Sequence, residues 1–153
     1  MVRMRTVLVI PDLKYDRNFL HSVRTAEAMG CTEIVMLKGK KKGRIFPRGS
    51  MGAWKHLKVI RFKTEQEIID YLNTEKLKVV CIENKEDSIP LNKYNFPANV
   101  ALIMGHENLG VNPQFLRYYK SVIIPQSGLV GCLNTCVAMS IVLWERYKQR
   151  LKI

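Results

Sequence analysis

Short apolar runs alternate along the chain with segments of helical periodicity. Six runs have the length and composition of buried strands, at residues 6–10, 33–37, 59–62, 79–83, 100–104 and 121–124. Four segments have the spacing of amphipathic helices, at residues 18–29, 65–73, 113–119 and 134–150. Strands separated by helices predict one α/β domain over residues 1–153, with a mostly parallel sheet covered by helices on both faces.

Two of the predicted helices have recognisable ends. The first follows Asn18, which we expect to act as its N-terminal cap, and it stops before Gly30, the usual place for glycine after a helix. The last predicted helix ends in basic residues, which suit the helix dipole there. An apolar stripe lines one side of this helix and consists of Leu133, Val137, Ile141 and Trp144.

Positive charge is the strongest signal in the composition. The chain has 25 Lys and Arg residues against 13 Asp and Glu residues, a formal net charge of +12. A field of this sign attracts polyanions, which favours nucleic acid as the partner over a merely basic protein. Basic residues gather in segments 38–48 and 146–152, which are candidate phosphate contacts; the alternative is a solvated run of charge. The sequence contains no strongly amphipathic basic helix, so a membrane surface is a less favoured partner than nucleic acid.

Several classes of protein are disfavoured. No apolar run approaches the roughly 18–20 residues of a membrane span, and the run at residues 7–10 is too short for a secretory signal. We therefore expect a cytoplasmic protein with reduced thiols and without a membrane partner. The four cysteines form neither a Cys-x-x-Cys pair nor a cluster with histidine, so we expect no metal.

Three segments combine polar side chains with glycine near strand ends or helix starts. In the first, Arg24 offers a guanidinium that can hold a phosphate, although most helical arginines are only solvated. In the second, Gly105 and Glu107 follow a strand, where parallel sheets bind ligands; an ordinary turn is the alternative. In the third, a glycine-rich loop leads to Asn134 at a helix start, which either binds a ligand or simply caps the helix.

Together and in this order, the three segments resemble the three motifs of the SpoU/TrmH 2′-O-ribose methyltransferases. Residues 18–30 (NFLHSVRTAEAMG) resemble motif 1, residues 104–110 (MGHENLG) resemble motif 2, and residues 124–134 (IPQSGLVGCLN) resemble motif 3. The segment SMGAW at residues 50–54 is similar to the family's serine–glycine stretch before the third strand. The resemblance thus runs along nearly the whole chain.

The resemblance implies a single SpoU-type domain with a C-terminal trefoil knot, which transfers a methyl group from S-adenosylmethionine to a ribose 2′-hydroxyl of transfer or ribosomal RNA. It also implies a homodimer whose subunits share the RNA site. By position, the resemblance implies that the cofactor-binding residues are Ile82, Gly105, Ile124, Cys132 and Leu133.

The same resemblance implies four catalytic residues, Arg24, Asn18, Glu107 and Asn134. Arg24 would hold the phosphate beside the reacting ribose and assist removal of the hydroxyl proton; because arginine is a poor free base, the phosphate itself is a second candidate for that step. The two asparagines would orient these groups, and Glu107 would fix its loop. The predicted RNA-binding residues are Lys40, Lys41, Lys42 and Arg44.

One position departs from the family pattern. Cys132 stands where motif 3 usually has serine, and a thiol is the weaker hydrogen-bond donor. This departure leaves open a catalytically silent, RNA-binding member of the family.

A knotted methyltransferase that acts on a base is a further alternative, but that branch has an aspartate near its last motif and residues 121–150 contain none. A nucleotide-binding doubly wound domain is disfavoured because the chain lacks both a Gly-x-Gly-x-x-Gly fingerprint and a P-loop.

Overall fold

The computed structural model describes residues 4–39 and 48–151 of the chain. Within them, seven strands form one parallel sheet in the order β3-β2-β1-β6-β4-β7-β5. The strands are β1 (Thr6–Ile10), β2 (Glu33–Leu37), β3 (Lys58–Phe62), β4 (Lys78–Ile82), β5 (Ile89–Pro90), β6 (Val100–Ile103) and β7 (Lys120–Ile123). The helices are α1 (Asp16–Ala28), α2 (Glu65–Thr74), α3 (Pro113–Leu116) and α4 (Thr135–Leu151), with short 3₁₀ turns between elements.

Helices cover both faces of this sheet, which confirms the predicted architecture. Strand residues alternate between the faces, so that Leu8 packs with one layer and Val9 with the other. Helices α1 and α4 bury Phe19 and Met139 on the first face, whereas α2 and α3 bury Leu72 and Phe115 on the second. The C-terminal knot implied by the resemblance stays a prediction.

The start of α1 differs from the prediction. The helix begins at Asp16 and Tyr15 occupies the N-cap position, so Asn18 lies inside the first turn and does not cap it. The reason is tertiary, because the backbone N–H groups of Lys14 and Tyr15 donate to the carboxylate of Glu107. The predicted Gly30 ending is confirmed: α1 ends at Ala28, Met29 is its C-cap, and Gly30 follows with φ +76°.

Two further boundaries differ from the sequence analysis. Strand β5 was not predicted, because only two residues of the polar segment 83–99 pair with β7. Helix α3 ends at Leu116 and is shorter than the predicted 113–119 segment.

The side of helix α4 that packs on the sheet is not the apolar stripe that the sequence analysis identified. Its buried residues are Cys136, Met139, Val142, Leu143 and Arg146. The stripe itself faces outward, with Leu133 37%, Val137 49%, Ile141 38% and Trp144 49% exposed. The helix is therefore apolar on two sides, and a single copy of the chain buries only one of them.

An ionic network ties the amino end of the sheet to α2. The Arg5 guanidinium donates to Oε1 of Glu33 at 2.6 Å and to Oε2 of Glu75 at 2.7 Å. The Tyr71 hydroxyl donates to the other Glu33 oxygen at 2.7 Å, and the side chain of Glu33 is only 7% exposed. Glu33 is thus the buried centre of the network, while Glu75 lies nearer the solvent.

No helix in the described part of the chain is long and apolar enough to cross a membrane.

We predict that Glu33→Gln lowers the free energy of unfolding by about 1–3 kcal/mol, because hydrogen bonds to a charged, buried acceptor are lost while the Arg5 guanidinium keeps its charge. Urea denaturation at neutral pH measures this change. The matched control is Glu75→Gln, which removes only the more exposed contact to Arg5 and should cost less than about 1 kcal/mol. Equal losses in the two variants would contradict the central place of Glu33.

Candidate active site

The predicted motifs meet at one edge of the sheet because all strands are parallel. Strand β6 lies between β1 and β4, and β7 lies beside β4, so the segments that follow these four strands start as neighbours. Segment 104–110 follows β6, the loop to α4 follows β7, and α1 follows β1. The fold thus brings the three motifs together at the carboxyl ends of the strands.

Glu107 joins the first two motifs. Its Oε2 accepts a hydrogen bond from the backbone N–H of Lys14 at 2.9 Å. Its Oε1 accepts from the backbone N–H of Tyr15 at 3.2 Å and from Nδ2 of Asn18 at 3.0 Å. The side chain of Glu107 is 8% exposed, so these bonds lie largely away from water. The carboxylate therefore fixes the connection between β1 and α1 to the loop that follows β6.

The surroundings of Glu107 keep it ionised. Burial by itself would raise its pKa, but hydrogen bonds from the Asn18 amide and the backbone of Lys14 and Tyr15 outweigh burial, and its pKa lies below the usual value. His106 lies at the other side, with Nε2 3.5 Å from Oε2 of Glu107, and its Nδ1 accepts a hydrogen bond from the backbone N–H of Asn108. The hydrogen bonds donated to Glu107 by Asn18, Lys14 and Tyr15 favour the carboxylate over the protonated acid.

Asn134 joins the third motif to the first. Its Oδ1 accepts from the backbone N–H groups of Cys136 at 2.8 Å and Val137 at 3.3 Å, which is the arrangement of a helix cap. Its Nδ2 donates to Oδ1 of Asn18 at 3.2 Å. Capping and a contact with motif 1 are therefore combined in one side chain.

A second carboxylate, Glu83, holds the far end of the motif 2 loop and was missed by the sequence analysis. It directly follows β4, and its Oε2 accepts the N–H of Val111 at 2.7 Å. A Cβ added to Gly110 would lie 2.4 Å from the same oxygen, and Gly110 has φ +69°, so both contact and backbone require glycine. The signal in the sequence was an acidic residue at the end of the predicted strand 79–83.

A cavity of about 740 Å³ opens between these loops. All five predicted cofactor-binding residues line it: Ile82, Gly105, Ile124, Cys132 and Leu133. Three of the four predicted catalytic residues, Asn18, Glu107 and Asn134, line it as well. Arg24 does not; it lies exposed on α1 of the same chain.

The motif 3 loop lies open to solvent. Every residue from 125 to 134 is exposed, and Leu129 and Val130 present apolar side chains to water. Gly128 and Gly131 have open space where a Cβ would be, so neither glycine is explained by a close contact within this chain. The Cys132 thiol is also exposed.

The predicted RNA-binding residues Lys40, Lys41, Lys42 and Arg44 lie outside the described residues. In the described part of the chain, no group of three or more His, Cys, Asp or Glu side chains is arranged to hold a metal ion.

Relatives with assigned activities align with nearly the whole chain. It is 28% identical over 150 residues to the 23S rRNA (guanosine-2′-O-)-methyltransferase RlmB of Acinetobacter baylyi, covering 95% of this chain and 60% of that protein. It is 26% identical over 152 residues to the tRNA (guanosine(18)-2′-O)-methyltransferase of Aquifex aeolicus, covering 97% of this chain and 72% of that protein. The chain therefore spans somewhat more than half to nearly three quarters of these relatives.

The fold also matches that of a solved structure. The SpoU methyltransferase AviRb from Streptomyces viridochromogenes, crystallised in complex with the cofactor AdoMet, superimposes with a TM-score of 0.88 at 19% identity, covering 100% of this chain and 63% of that one. The model of the SpoU rRNA Methylase family matches residues 5–144. The chain belongs to this family.

Proposed function

We propose that this protein is an RNA ribose-2′-O-methyltransferase that uses S-adenosylmethionine and acts on transfer or ribosomal RNA in the cytoplasm, with the whole chain as one catalytic domain. The observation that carries the proposal is the hydrogen-bonded contact of Asn18 with both Glu107 and Asn134 at the cavity formed by the three motifs. The names of the two relatives and the cofactor of the Streptomyces structure support the same reaction.

The cavity fits S-adenosylmethionine in size and chemistry. A volume of about 740 Å³ lies within the usual range for small-molecule sites. Ile82 and Ile124 supply apolar wall, and Gly105 leaves the backbone open to close approach. The carboxylates of Glu83 and Glu107 face the same cavity and favour a cationic ligand. When bound, the cofactor supplies a methyl group activated by its positive sulfur.

The two asparagine side chains are suited to orienting a ribose hydroxyl. Asn18 uses one Nδ2 hydrogen on Glu107, and Asn134 uses one on Asn18. An amide nitrogen carries two hydrogens, so each side chain retains one donor for a substrate oxygen. Because each amide is already fixed by another hydrogen bond, the donors are pre-oriented, and such positioning contributes to the rate of a transfer between two bound groups.

Glu107 is suited to positioning and not to accepting the hydroxyl proton. Both of its oxygens already accept hydrogen bonds, and these bonds lower its pKa. A carboxylate that is stabilised in this way is a weak base. We therefore assign Glu107 the role of fixing the β1–α1 connection and Asn18, and we keep Arg24 and the substrate phosphate as the groups that handle the proton.

Arg24 is proposed to act in the cavity of a second copy of the chain. It lies on the exposed side of α1, and no residue of the described chain forms an ion pair or hydrogen bond with it. Helices α1 and α4 pack side by side on one face of the sheet. A second copy that docks on α4 would therefore lie next to Arg24.

The outward apolar stripe of α4 supports this homodimer. Val137, Ile141 and Trp144 are each between 38% and 49% exposed, and the neighbouring loop adds Leu129 and Val130. Contiguous apolar surface of this kind marks an interaction site in a monomer. A symmetric contact through α4 would bury the stripe of both copies and set each Arg24 beside its partner's motifs.

The exposed side of α1 also suits the RNA backbone. Arg17, His21 and Arg24 are spaced four and three residues apart, which places them on one helical face. In the part of the chain that the structure describes, none of the three has an ion-pair or hydrogen-bond partner. Together with the net charge of +12, this row supports phosphate contacts, to which the predicted Lys40, Lys41, Lys42 and Arg44 would add.

We expect the protein to transfer label from S-adenosylmethionine to fractionated total RNA, and nucleoside mass spectrometry to identify a 2′-O-methylated nucleoside. Arg24→Ala should lower transfer about a hundredfold or more, because proton removal and phosphate contact are lost, while cofactor affinity by calorimetry stays unchanged. The matched control Arg117→Ala removes an exposed arginine elsewhere. If the wild-type protein binds the cofactor or RNA but transfers no methyl group, the alternative of a catalytically silent family member, which the cysteine at position 132 left open, is favoured.

Mixing two variants tests whether Arg24 acts in the site of its own chain or in the site of the partner copy. Equal amounts of Arg24→Ala and Asn134→Ala, each inactive alone, should regain about a quarter of wild-type activity, because half of the dimers carry one intact site. If Arg24 acted within its own chain, every mixed site would lack one residue and activity would stay at the level of the single variants.

We predict that Glu107→Gln costs about 1–3 kcal/mol of unfolding free energy at neutral pH, since an amide cannot accept all the hydrogen bonds. The folded pKa of Glu107 is lowered, so its stabilisation is complete above the unfolded value of about 4.3 and disappears as pH falls through the folded pKa. The difference between wild type and variant should therefore shrink below about pH 4 in urea titrations. The control is Glu86→Gln, at an exposed glutamate. A stability difference between wild type and Glu107→Gln that does not change with pH, or an equal loss of stability in the control, would contradict the role assigned to Glu107.

Introducing a charge into the α4 stripe should separate the dimer. We expect Ile141→Glu to sediment as a monomer and lose transfer activity, because a carboxylate buried in an apolar contact is costly. Analytical ultracentrifugation of wild type and variant measures the change. Tyr118→Glu, on an exposed tyrosine of another surface, is the control and should remain a dimer; dissociation of both variants would argue against α4 as the contact.

A further inference from the structure

The loop that leads into α4 gives the start of this helix little support. Every residue from 125 to 134 is exposed, and Gly128 and Gly131 meet no atom where a Cβ would be. Asn134, which ends the loop, donates to Oδ1 of Asn18 at 3.2 Å. A single hydrogen bond lets the two amides pivot about it, so the position of Asn134 over the cavity also depends on the residue that follows.

That residue, Thr135, makes a short contact with motif 2. Its Oγ1 donates to the backbone carbonyl oxygen of Gly105 at 2.6 Å, at the short end of the range for a hydroxyl donor, and the bond is partly buried. Thr135 is the first residue of α4, and Gly105 lies just beyond β6. The hydroxyl carries one hydrogen, so this bond also fixes the direction in which that hydrogen points.

The Thr135 bond closes a ring of contacts through all three motifs. Gly105 and Glu107 belong to the motif 2 loop, Glu107 accepts from Asn18, and Asn18 accepts from Asn134, the neighbour of Thr135. Without the Thr135 bond, these contacts form an open chain whose ends can move apart. With it, the motif 2 loop and the start of α4 are held to each other at two places.

The motif 2 loop transmits the effect of this bond because it is compact. His106 and Gly110 exchange two backbone hydrogen bonds, of 2.8 and 3.0 Å. A Cβ added to Gly105 would lie 3.0 Å from the carbonyl carbon of Gly110, so the two arms of the loop are in close contact. A shift of Gly105 therefore carries Glu107 with it.

We infer that Thr135 is a positioning residue for methyl transfer; the inference rests on the proposed function. Its hydroxyl sets the separation between the Gly105 wall, which would contact the cofactor, and Asn134, which would orient the ribose. All three residues line the same cavity. Transfer between two bound groups requires their alignment, and a misplacement of about 1 Å can cost about a hundredfold in rate.

Removing the hydroxyl while keeping the branched side chain tests this role. We expect Thr135→Val to lower kcat about tenfold or more, because the two halves of the site lose their alignment. KM for RNA and cofactor affinity by calorimetry should change less than about twofold, because each substrate keeps its own contacts. Thr135→Ser restores the donor and should recover most of the wild-type kcat. Wild-type kcat in a folded Thr135→Val, or equal losses in both variants, would overturn the inference.

The matched control is Thr32→Val, the same substitution at the opposite end of the sheet. The Thr32 hydroxyl also donates to a backbone carbonyl oxygen, that of Thr6 at 3.3 Å, beside the amino ends of β1 and β2. Its loss should leave kcat within about twofold of wild type, since no motif is attached there. An equal fall of kcat in the control would mean that general stability, and not the link to Gly105, determines the rate.

Amide hydrogen exchange followed by NMR tests the same bond without any transfer reaction. The backbone N–H groups of Cys136 and Val137 donate to Asn134 at the start of α4. We expect Thr135→Val to speed their exchange about three- to tenfold, which corresponds to the loss of one hydrogen bond, and Thr135→Ser to restore it. Exchange at Glu67, in the capping box of α2, should stay unchanged. Unchanged exchange at Cys136 and Val137 would overturn the inference.

The two measurements separate this inference from the proposed function. If the wild type transfers a methyl group to RNA and Thr135→Val retains its kcat, the positioning role is wrong and the proposed function stands. If the wild type transfers no methyl group, the proposed function fails. Faster exchange in Thr135→Val would then still support the hydroxyl as the contact that places α4 against motif 2, and unchanged exchange would refute it.

Discussion

The carboxylate of Glu107 is the contact on which the rest of the site depends. It accepts hydrogen bonds from the connection between β1 and α1 and from Asn18, so one side chain sets where α1 begins. Through Asn18 the same network reaches Asn134 and the start of α4. Three segments that lie far apart in the chain are thus fixed to one another by a nearly buried charge whose hydrogen bonds keep it ionised.

A second carboxylate completes this arrangement from the other end of the loop. Glu83 holds Val111 and leaves no room for a side chain at Gly110. The motif 2 loop is therefore fixed at both ends by acidic residues from different parts of the chain. One short loop with fixed ends thus forms a wall of two cavities, and the larger one is suited to a cationic cofactor.

A single copy of the chain leaves two features without a partner. The stripe around Ile141 on α4 remains half exposed, and Arg24 lies outside the cavity that Asn18 and Asn134 line. Both features lie on the side of the sheet covered by α1 and α4. A second copy placed there would account for both, which is why the mixed-variant experiment addresses catalysis and assembly together.

The sequence by itself determined the six main strands and the helices around them. The reason is that burial produces a characteristic spacing of apolar residues within each strand and helix, and this spacing can be read in each segment separately. It also singled out Asn18, Glu107 and Asn134, which the structure brings into contact. Only the tertiary structure decided that Asn18 lies inside a helix, that the outward side of α4 is apolar, and that Glu83 holds Gly110. Each of these features depends on contacts between residues that are distant in the chain. Local periodicity predicts which side of an element is buried, but it does not indicate which distant residue a backbone N–H, an apolar side chain or a carboxylate will contact.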